Sequence, residues 1–354
     1  MNGVFVNVDG DWQQADSFVN VDGQWKEAVP FANQAFQWKM AFDIPMVLEF
    51  DTSLGDLTVE MPLNGRVNCT IDWGDGTSNH YDDSGTQSHT YSSGGTYTVQ
   101  VSGLLTGFGG FVHRPELTKC LSFGEIGLTS LEHGFRYCQN LTVAPDSLPK
   151  YSSIRNMYSL FWGAKKFNYD ISAWDTSSVT DMGGMFLDNK MFDQPIGSWD
   201  TSSVESMQNM FQNASRFNQD IGGWDTSSVT RIPNMFRVAS QFNKDISEWD
   251  MSSVYDMSYA FMGASEFNAP IGSWDTSSVT NMNAMFANTN KFNQDIGAWD
   301  VSNVTIMNDM FSRANVFSQD LSGWCVKKIP TKPSNFDNLA FMWTKPKPIW
   351  GTCP

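Results

Sequence analysis

Residues 192–216 read FDQPIGSWDTSSVESMQNMFQNASR, and residues 217–241 read FNQDIGGWDTSSVTRIPNMFRVASQ. The second stretch keeps the large apolar residues of the first in place and exchanges many of its polar ones. The same 25-residue unit runs through the second half of the chain. Phe recurs at Phe167, Phe192, Phe217, Phe242, Phe267, Phe292 and Phe317. Trp keeps step at Trp174, Trp199, Trp224, Trp249, Trp274, Trp299 and Trp324. Val179, Val204, Val229, Val254, Val279 and Val304 follow, and a Met-Phe pair closes most units, as at Met210-Phe211 and Met285-Phe286. In-register copies of three large residue types define a repeat array.

One unit cannot bury its Phe, Trp and Met alone, whereas stacked units can. The segment I-x-x-W-D-T-S-S-V is short and bounded by Gly or Ser, which suits a brief strand and a turn. The segment V-T-x-M-x-x-M-F-x-x-A-x-x-F spaces its apolar residues as one or two helical turns with a single buried face would. Strand spacing of about 4.8 Å makes a seven-coil stack roughly 35 Å long. The seven Trp belong to its apolar core. Upstream the pattern weakens: Leu128, Leu131, Phe135, Cys138 and Leu141 form one degenerate unit, and Leu148, Ile154, Met157, Leu160, Phe161 and Ala164 another. Terminal units of a stack are atypical because they cap it.

The unit LxxLxxGFRYCQNLT, beginning at Leu128, and the later FNQDIxxWDTSSVTxMxxMF resemble the BspA-like leucine-rich repeat surface proteins. The ending GWCV…IPTKPSNF…WGTCP is similar to the terminal cap of that group. The resemblance covers residues 117–354 and implies a right-handed leucine-rich-repeat-type solenoid on a cell or virion surface, adhesive and without enzyme activity.

The front of the chain differs. Asp75-Gly76 is a hairpin signal, and the alternation in TYTVQVSG suits a half-buried strand. The set WGDGT…HTY…GTYTVQV in residues 46–103 resembles the PKD-type β-sandwich domain, in which these residues shape turns and core. The stretch is short for such a domain, so a strand or two is missing or borrowed. Residues 1–45 repeat with a period of 13: FVNVDGDW from Phe5, FVNVDGQW from Phe18 and an altered copy, FANQAFQW, from Phe31. The first two copies predict small Asp-Gly hairpins, which are marginal alone and so pack on a partner or on each other. The VNVDGxWKEA pattern resembles short repeats in phage structural and tail-associated proteins.

The expected fold class is therefore mixed: short β-hairpin repeats (1–45), a PKD/Ig-like β-sandwich (46–104), and a leucine-rich-repeat-type α/β solenoid. The solenoid comprises degenerate repeats (105–166), 25-residue coils (167–324) and a C-terminal cap (325–354).

The chemistry the sequence offers is sparse. The four His (His80, His89, His113, His133) show no HExxH or zinc-ligand spacing with Cys. No nucleophile elbow, P-loop or dinucleotide fingerprint is present. No catalytic, metal or cofactor site is assigned. Two Asp columns, Asp175 to Asp300 and Asp170 to Asp320, fit either calcium or side-chain capping of turns. The candidate partner-binding ladder is Thr176, Ser177, Thr201, Ser202, Thr226, Ser227, Thr276 and Ser277; the alternative is a solvated strand edge. Trp343 and Trp350 fall outside the period and are assigned to covering an open end. Of the five Cys, Cys325 and Cys353 bracket the cap, and a bond there would contribute about 3 kcal/mol. Cys120 and Cys138 are a second candidate pair, and the sequence leaves connectivity open.

A net charge of −16 disfavours nucleic acid and anionic membrane surfaces. No run of about 18 apolar residues predicts a membrane span, no heptads announce a coiled coil, and MNGVFVNVDGDWQQ does not read as a signal peptide. The expected protein is a non-enzymatic bacteriophage virion surface protein: a tail fibre, head fibre or capsid decoration. It would join other virion proteins through its N-terminal region, as an oligomer within an assembly, and meet a host glycan or protein. The alternatives are a bacterial cell-surface adhesin and a carbohydrate-binding module.

Overall fold

The computed structural model describes strands Val4–Val8, Asp11–Ala15, Phe18–Val21 and Gln24–Glu27 and, in full, residues 44–151 and 153–354. β1 (Val4–Val8) pairs antiparallel with β2 (Asp11–Ala15), and β3 (Phe18–Val21) with β4 (Gln24–Glu27). The register is the same in both hairpins, Asn7 opposite Trp12 and Asn20 opposite Trp25. The altered third copy lies outside the described residues.

Six strands follow: β5 (Met46–Asp51), β6 (Thr58–Asp72), β7 (Ser78–Tyr81), β8 (Gly85–Thr90), β9 (Thr96–Phe108) and β10 (Leu117–Ser122). They form one antiparallel sheet in the order β10-β5-β9-β6-β7, with β8 also paired to β6. Alternation sets the buried side: Met46, Leu48 and Phe50 of β5 and Val99 and Val101 of β9 are buried. The expected PKD/Ig-like sandwich is corrected here, since the strands make a single open sheet. Its apolar face needs no second sheet, because the buried residues from Met46 to Trp343 form one continuous cluster. β9 runs past residue 104 to Phe108, and β10 comes from residues 117–122.

The end of β9 starts the repeat column. Gly107 bridges Ser130 in parallel, Ser130 bridges Asn156, and the ladder continues through Asp181, Ser206, Arg231, Asp256 and Asn281 to Ile306. Each coil contributes a single bridged residue rather than a strand.

The expected α/β solenoid, with a short strand and helical turns in each coil, is also corrected. The only helical element among the described residues is the 3₁₀ turn Thr52–Leu54. The spacing M-x-x-M-F-x-x-A is met instead by tandem β-turns. Met210 N donates to Met207 O, Gln212 N to Asn209 O and Ala214 N to Phe211 O. Asn209 and Asn213 sit at φ 57° and 61°, in the left-handed region that a type II turn requires at its third residue. The amides between these turns leave the coil: Asn209 N, Phe211 N and Asn213 N donate to the carbonyls of Pro233, Met235 and Arg237. An α-helix would spend those donors within its own segment. Left-handed backbone costs roughly 1–2 kcal/mol at a non-glycine residue, and satisfying every coil's amides from the next coil offsets it.

Inside, identical rings lie over one another. Phe211 and Phe236 are 5.6 Å apart, Phe217 and Phe242 6.0 Å, and Trp199 and Trp224 6.5 Å with planes within 2°. At the far end Trp343 meets Phe317 edge-on at 4.8 Å and Trp350 meets Phe336 at 4.9 Å. The Cys325–Cys353 disulfide ties the last segment back.

Candidate functional site

The W-D-T-S-S segments form one face of the column, and the structure divides their residues by depth. Thr176, Thr201, Thr226 and Thr276 are buried, and each Oγ1 donates to the Asp carbonyl of the following coil at 2.8–3.0 Å. These threonines are inter-coil fasteners with no hydroxyl left at the surface, which removes half of the candidate ladder from reach of a partner. Ser177, Ser202 and Ser227 are exposed and Ser277 half-buried. The first three donate through Oγ to Asp175, Asp200 and Asp225 at 2.6 Å, and all four backbone amides donate to the same Asp column. The serine hydroxyls hold Asp200, Asp225 and Asp275 below the usual carboxylate range. The Asp columns thus close turns. Among the described residues no three His, Cys, Asp or Glu side chains gather as a metal-holding group.

The repeat Trp, Trp174 to Trp324, are 0–4% exposed. From Trp199 to Trp324 each indole Nε1 donates to the carbonyl of an apolar residue 28 positions earlier, as Trp224 does to Ile196 O at 3.0 Å. An asparagine ladder adds to this: Asn243 N donates to Asn218 Oδ1 and Asn268 N to Asn243 Oδ1. The face these residues build is nearly the same in every coil and is already hydrogen-bonded.

The tandem turns form a second face, and there the side chains change from coil to coil. The second, third, sixth and seventh residues of M-x-x-M-F-x-x-A read Glu132, His133, Arg136 and Tyr137 in one coil, Tyr158, Ser159, Trp162 and Gly163 in the next, and Gln208, Asn209, Gln212 and Asn213 two coils on. The backbone bonds repeat regardless, His133 N to Tyr158 O and Tyr137 N to Trp162 O matching Asn209 N to Pro233 O. Within one chain, side chains that vary while the backbone stays constant are not what makes the repeated backbone bonds.

The first of these coils carry an aromatic cluster around one cation. The Arg136 guanidinium lies 3.9 Å over Trp162, 4.5 Å from Phe111 and 4.8 Å from Tyr137. Phe111, in the connection from β9 to β10, is 79% exposed and touches His133 at 4.4 Å. Tyr158 meets His133 edge-on at 5.4 Å. Glycines on the following coil make room: a Cβ at Gly163 would lie 2.5 Å from Tyr137, and one at Gly183 2.9 Å from Tyr158. Among the described residues no group accepts from Arg136 Nε or Nη1, and His133 Nδ1 is also without a partner. Burial, and then the Arg136 charge, push His133 down to about 4, so the ring is neutral at neutral pH. The cluster holds no nucleophile paired with a base. What it offers is flat apolar area and unpartnered donors.

Elsewhere the titratable groups serve the fold. His89 Nε2 meets Asp75 Oδ2 at 2.8 Å and stacks on Trp73 at 4.8 Å. The Thr77 hydroxyl, with His89, holds Asp75 at about 2. Cys69, Cys120 and Cys138 are free and buried, so the Cys120–Cys138 pair does not form. Burial pushes the Cys138 thiol up to about 11, a protonated state of low reactivity.

Sequence reasoning missed the aromatic cluster. Its members come from a connection and two degenerate coils, and no motif joins them. The available signal was the change of side chain at fixed turn positions.

Fold and face together define a coil-repeat protein with one constant and one variable surface. Residues 129–249 and 230–345 match the model of a family described as Mycoplasma protein of unknown function, DUF285. The matches span more than half of the chain, which belongs to that family. No curated protein and no solved structure matches it.

Proposed function

We propose that this is a non-enzymatic protein displayed on the outside of a bacteriophage particle, as a tail fibre, head fibre or capsid decoration, that meets host or partner molecules through the variable face of its column. The observation that carries this reading is the division of the repeats: side chains needed for stacking are copied, while Arg136, Tyr137, Tyr158 and Trp162 occupy exterior positions that later coils fill differently. The hairpins β1/β2 and β3/β4 repeat one register at 13-residue spacing, and in this reading they are the attachment region. Other virion proteins would be held there.

The description of the family names a bacterium, and the second reading is a bacterial cell-surface adhesin. Mass spectrometry of purified particles and immunogold labelling of intact cells separate the two. The virion reading expects the chain in the particles at stoichiometric abundance. Its absence from particles, with labelling on the cell surface, would replace that reading with the adhesin.

A further inference from the structure

We propose that Arg136 and the rings around it form a binding site for an acidic saccharide, the guanidinium taking the carboxylate and the aromatic faces taking the apolar side of the sugar ring. The proposal rests on the display reading above and names the ligand class of its variable face.

The first support is an electrostatic imbalance. The chain carries 38 acidic and 22 basic residues, yet among the described residues no carboxylate pairs with Arg136, whose Nε and Nη1 are buried without an acceptor. Leaving such donors unmet is unfavourable, most of all in a charged group. A carboxylate from outside would meet them, and the guanidinium fork fits one with two parallel hydrogen bonds. Glu132 and Asp188, the nearby acids, are engaged elsewhere: Glu132 with Asn156 Nδ2 and, at 3.7 Å, His133, and Asp188 with Trp162 Nε1 and Asn213 Nδ2.

The second support is His133, only 7% exposed, whose Nδ1 is also unpartnered, beside Phe111 and Tyr158. A neutral imidazole in this place pairs with a sugar hydroxyl. The third is the surrounding surface. Phe111, Tyr137 and Trp162 give ring faces around one cation, with Tyr158 against His133 beside them, the mixture of flat apolar area and a few fixed polar groups that orients a small ligand. A pyranose presents C–H groups on one side and hydroxyls at its edge, which matches that mixture better than a peptide carboxylate on a flexible stem does. Phe111 lies 4.5 Å from the guanidinium and is 79% exposed, so a change of its side-chain rotamer is the step that gives a ligand access to the donors.

Isothermal titration of the full-length protein tests this with four probes: hyaluronan oligosaccharides, oligogalacturonate, neutral dextran oligosaccharides and poly-glutamate of matched charge. At least one of the two uronate-containing saccharides is expected to bind, with dextran and poly-glutamate at least tenfold weaker. Arg136→Gln is expected to weaken uronate binding at least tenfold without lowering the thermal midpoint. Arg136→Lys should be intermediate, and Arg313→Gln on a distant coil unchanged. The proposal is overturned if neither uronate binds, if dextran or poly-glutamate binds as well, or if Arg136→Gln binds as the wild type does. A lowered midpoint with unaltered binding would assign Arg136 to packing alone and also overturn it. Particle location is measured separately, so failure here leaves the display reading standing, and failure of that reading leaves the titration interpretable.

Discussion

The Asp-Thr-Ser face and the tandem-turn face are made by the same coils and stacked through the same 25-residue step, yet they use their side chains in opposite ways. On the first, Thr226 Oγ1 reaches Asp250 O and Ser227 Oγ reaches Asp225 Oδ1, and the neighbouring coils repeat most of this. On the second, the inter-coil bonds are carried by backbone amides. The exterior side chains are thereby free to differ from coil to coil. A repeat protein can vary one face without loss of fold when main-chain groups carry the bonds that recur on it, and the side-chain bonds there, such as Trp162 and Asn213 to Asp188, belong to single coils.

Five substitutions, one of them read against pH, would break or sharpen that comparison. Trp224→Ala removes a copied interior ring stacked 6.3 Å from Trp249 and an indole bond to Ile196 O. It should cost about 3–5 kcal/mol in urea unfolding. Thr226→Val keeps the shape of a buried side chain and deletes its donor to Asp250 O, for an expected loss of about 1–2 kcal/mol. Ser227→Ala, one residue along and exposed, should stay within about 0.5 kcal/mol. Equal effects at the two positions would erase the distinction between fastener and surface.

Asn189→Ala should act in the opposite direction. Asn189 is fully buried with both amide atoms unpartnered, at the position that Ala164, Ala214, Ala239 and Ala264 fill in other coils. Its replacement is expected to raise stability by about 1 kcal/mol, read as a higher thermal midpoint.

The two faces should also lose stability in different pH windows. His133 is held at about 4 in the folded chain, below its unfolded value near 6.5. Its contribution is complete above 6.5 and is lost as pH falls toward 4, because the unfolded state takes up the proton first. His133→Asn, which suits the positive φ at that position, should flatten this slope by about 2 kcal/mol across the window. Asp200, Asp225 and Asp275, held low by their serines, contribute above the ordinary carboxylate value near 3.9, and that contribution fades only below it. Stability against pH for wild type and His133→Asn separates the two windows.

The sequence disclosed the period, the ring columns and the closing roles of Trp343 and Trp350, because a buried residue that must meet its own copy is written at a fixed interval. It misled at the turns. Met207, Met210, Phe211 and Ala214 have a spacing that a helix and a pair of tandem turns share, and the deciding information sat in the polar residues between them. Asn209, Asn213, Asn234, Gly263, Asn288 and Asp309 stand where the backbone is left-handed, and Asn, Asp and Gly tolerate that conformation. The sandwich expectation failed for a different reason: strand patterns show that a sheet has an apolar side, and here the repeat column continues that core. The aromatic cluster was hidden because Phe111, Arg136 and Trp162 are joined by stacking and by no sequence interval.

The central claim is that what the coils copy holds the column and what they vary does not. An alanine scan of the single coil 217–241, followed by urea unfolding, tests it most directly. Losses of about 2 kcal/mol at Thr226, and of 3 kcal/mol or more at Phe217, Trp224 and Phe236, with Arg231, Arg237 and Gln241 within about 0.5 kcal/mol, are the predicted result. Losses at Arg231 and Arg237 as large as those at the buried rings would contradict the account.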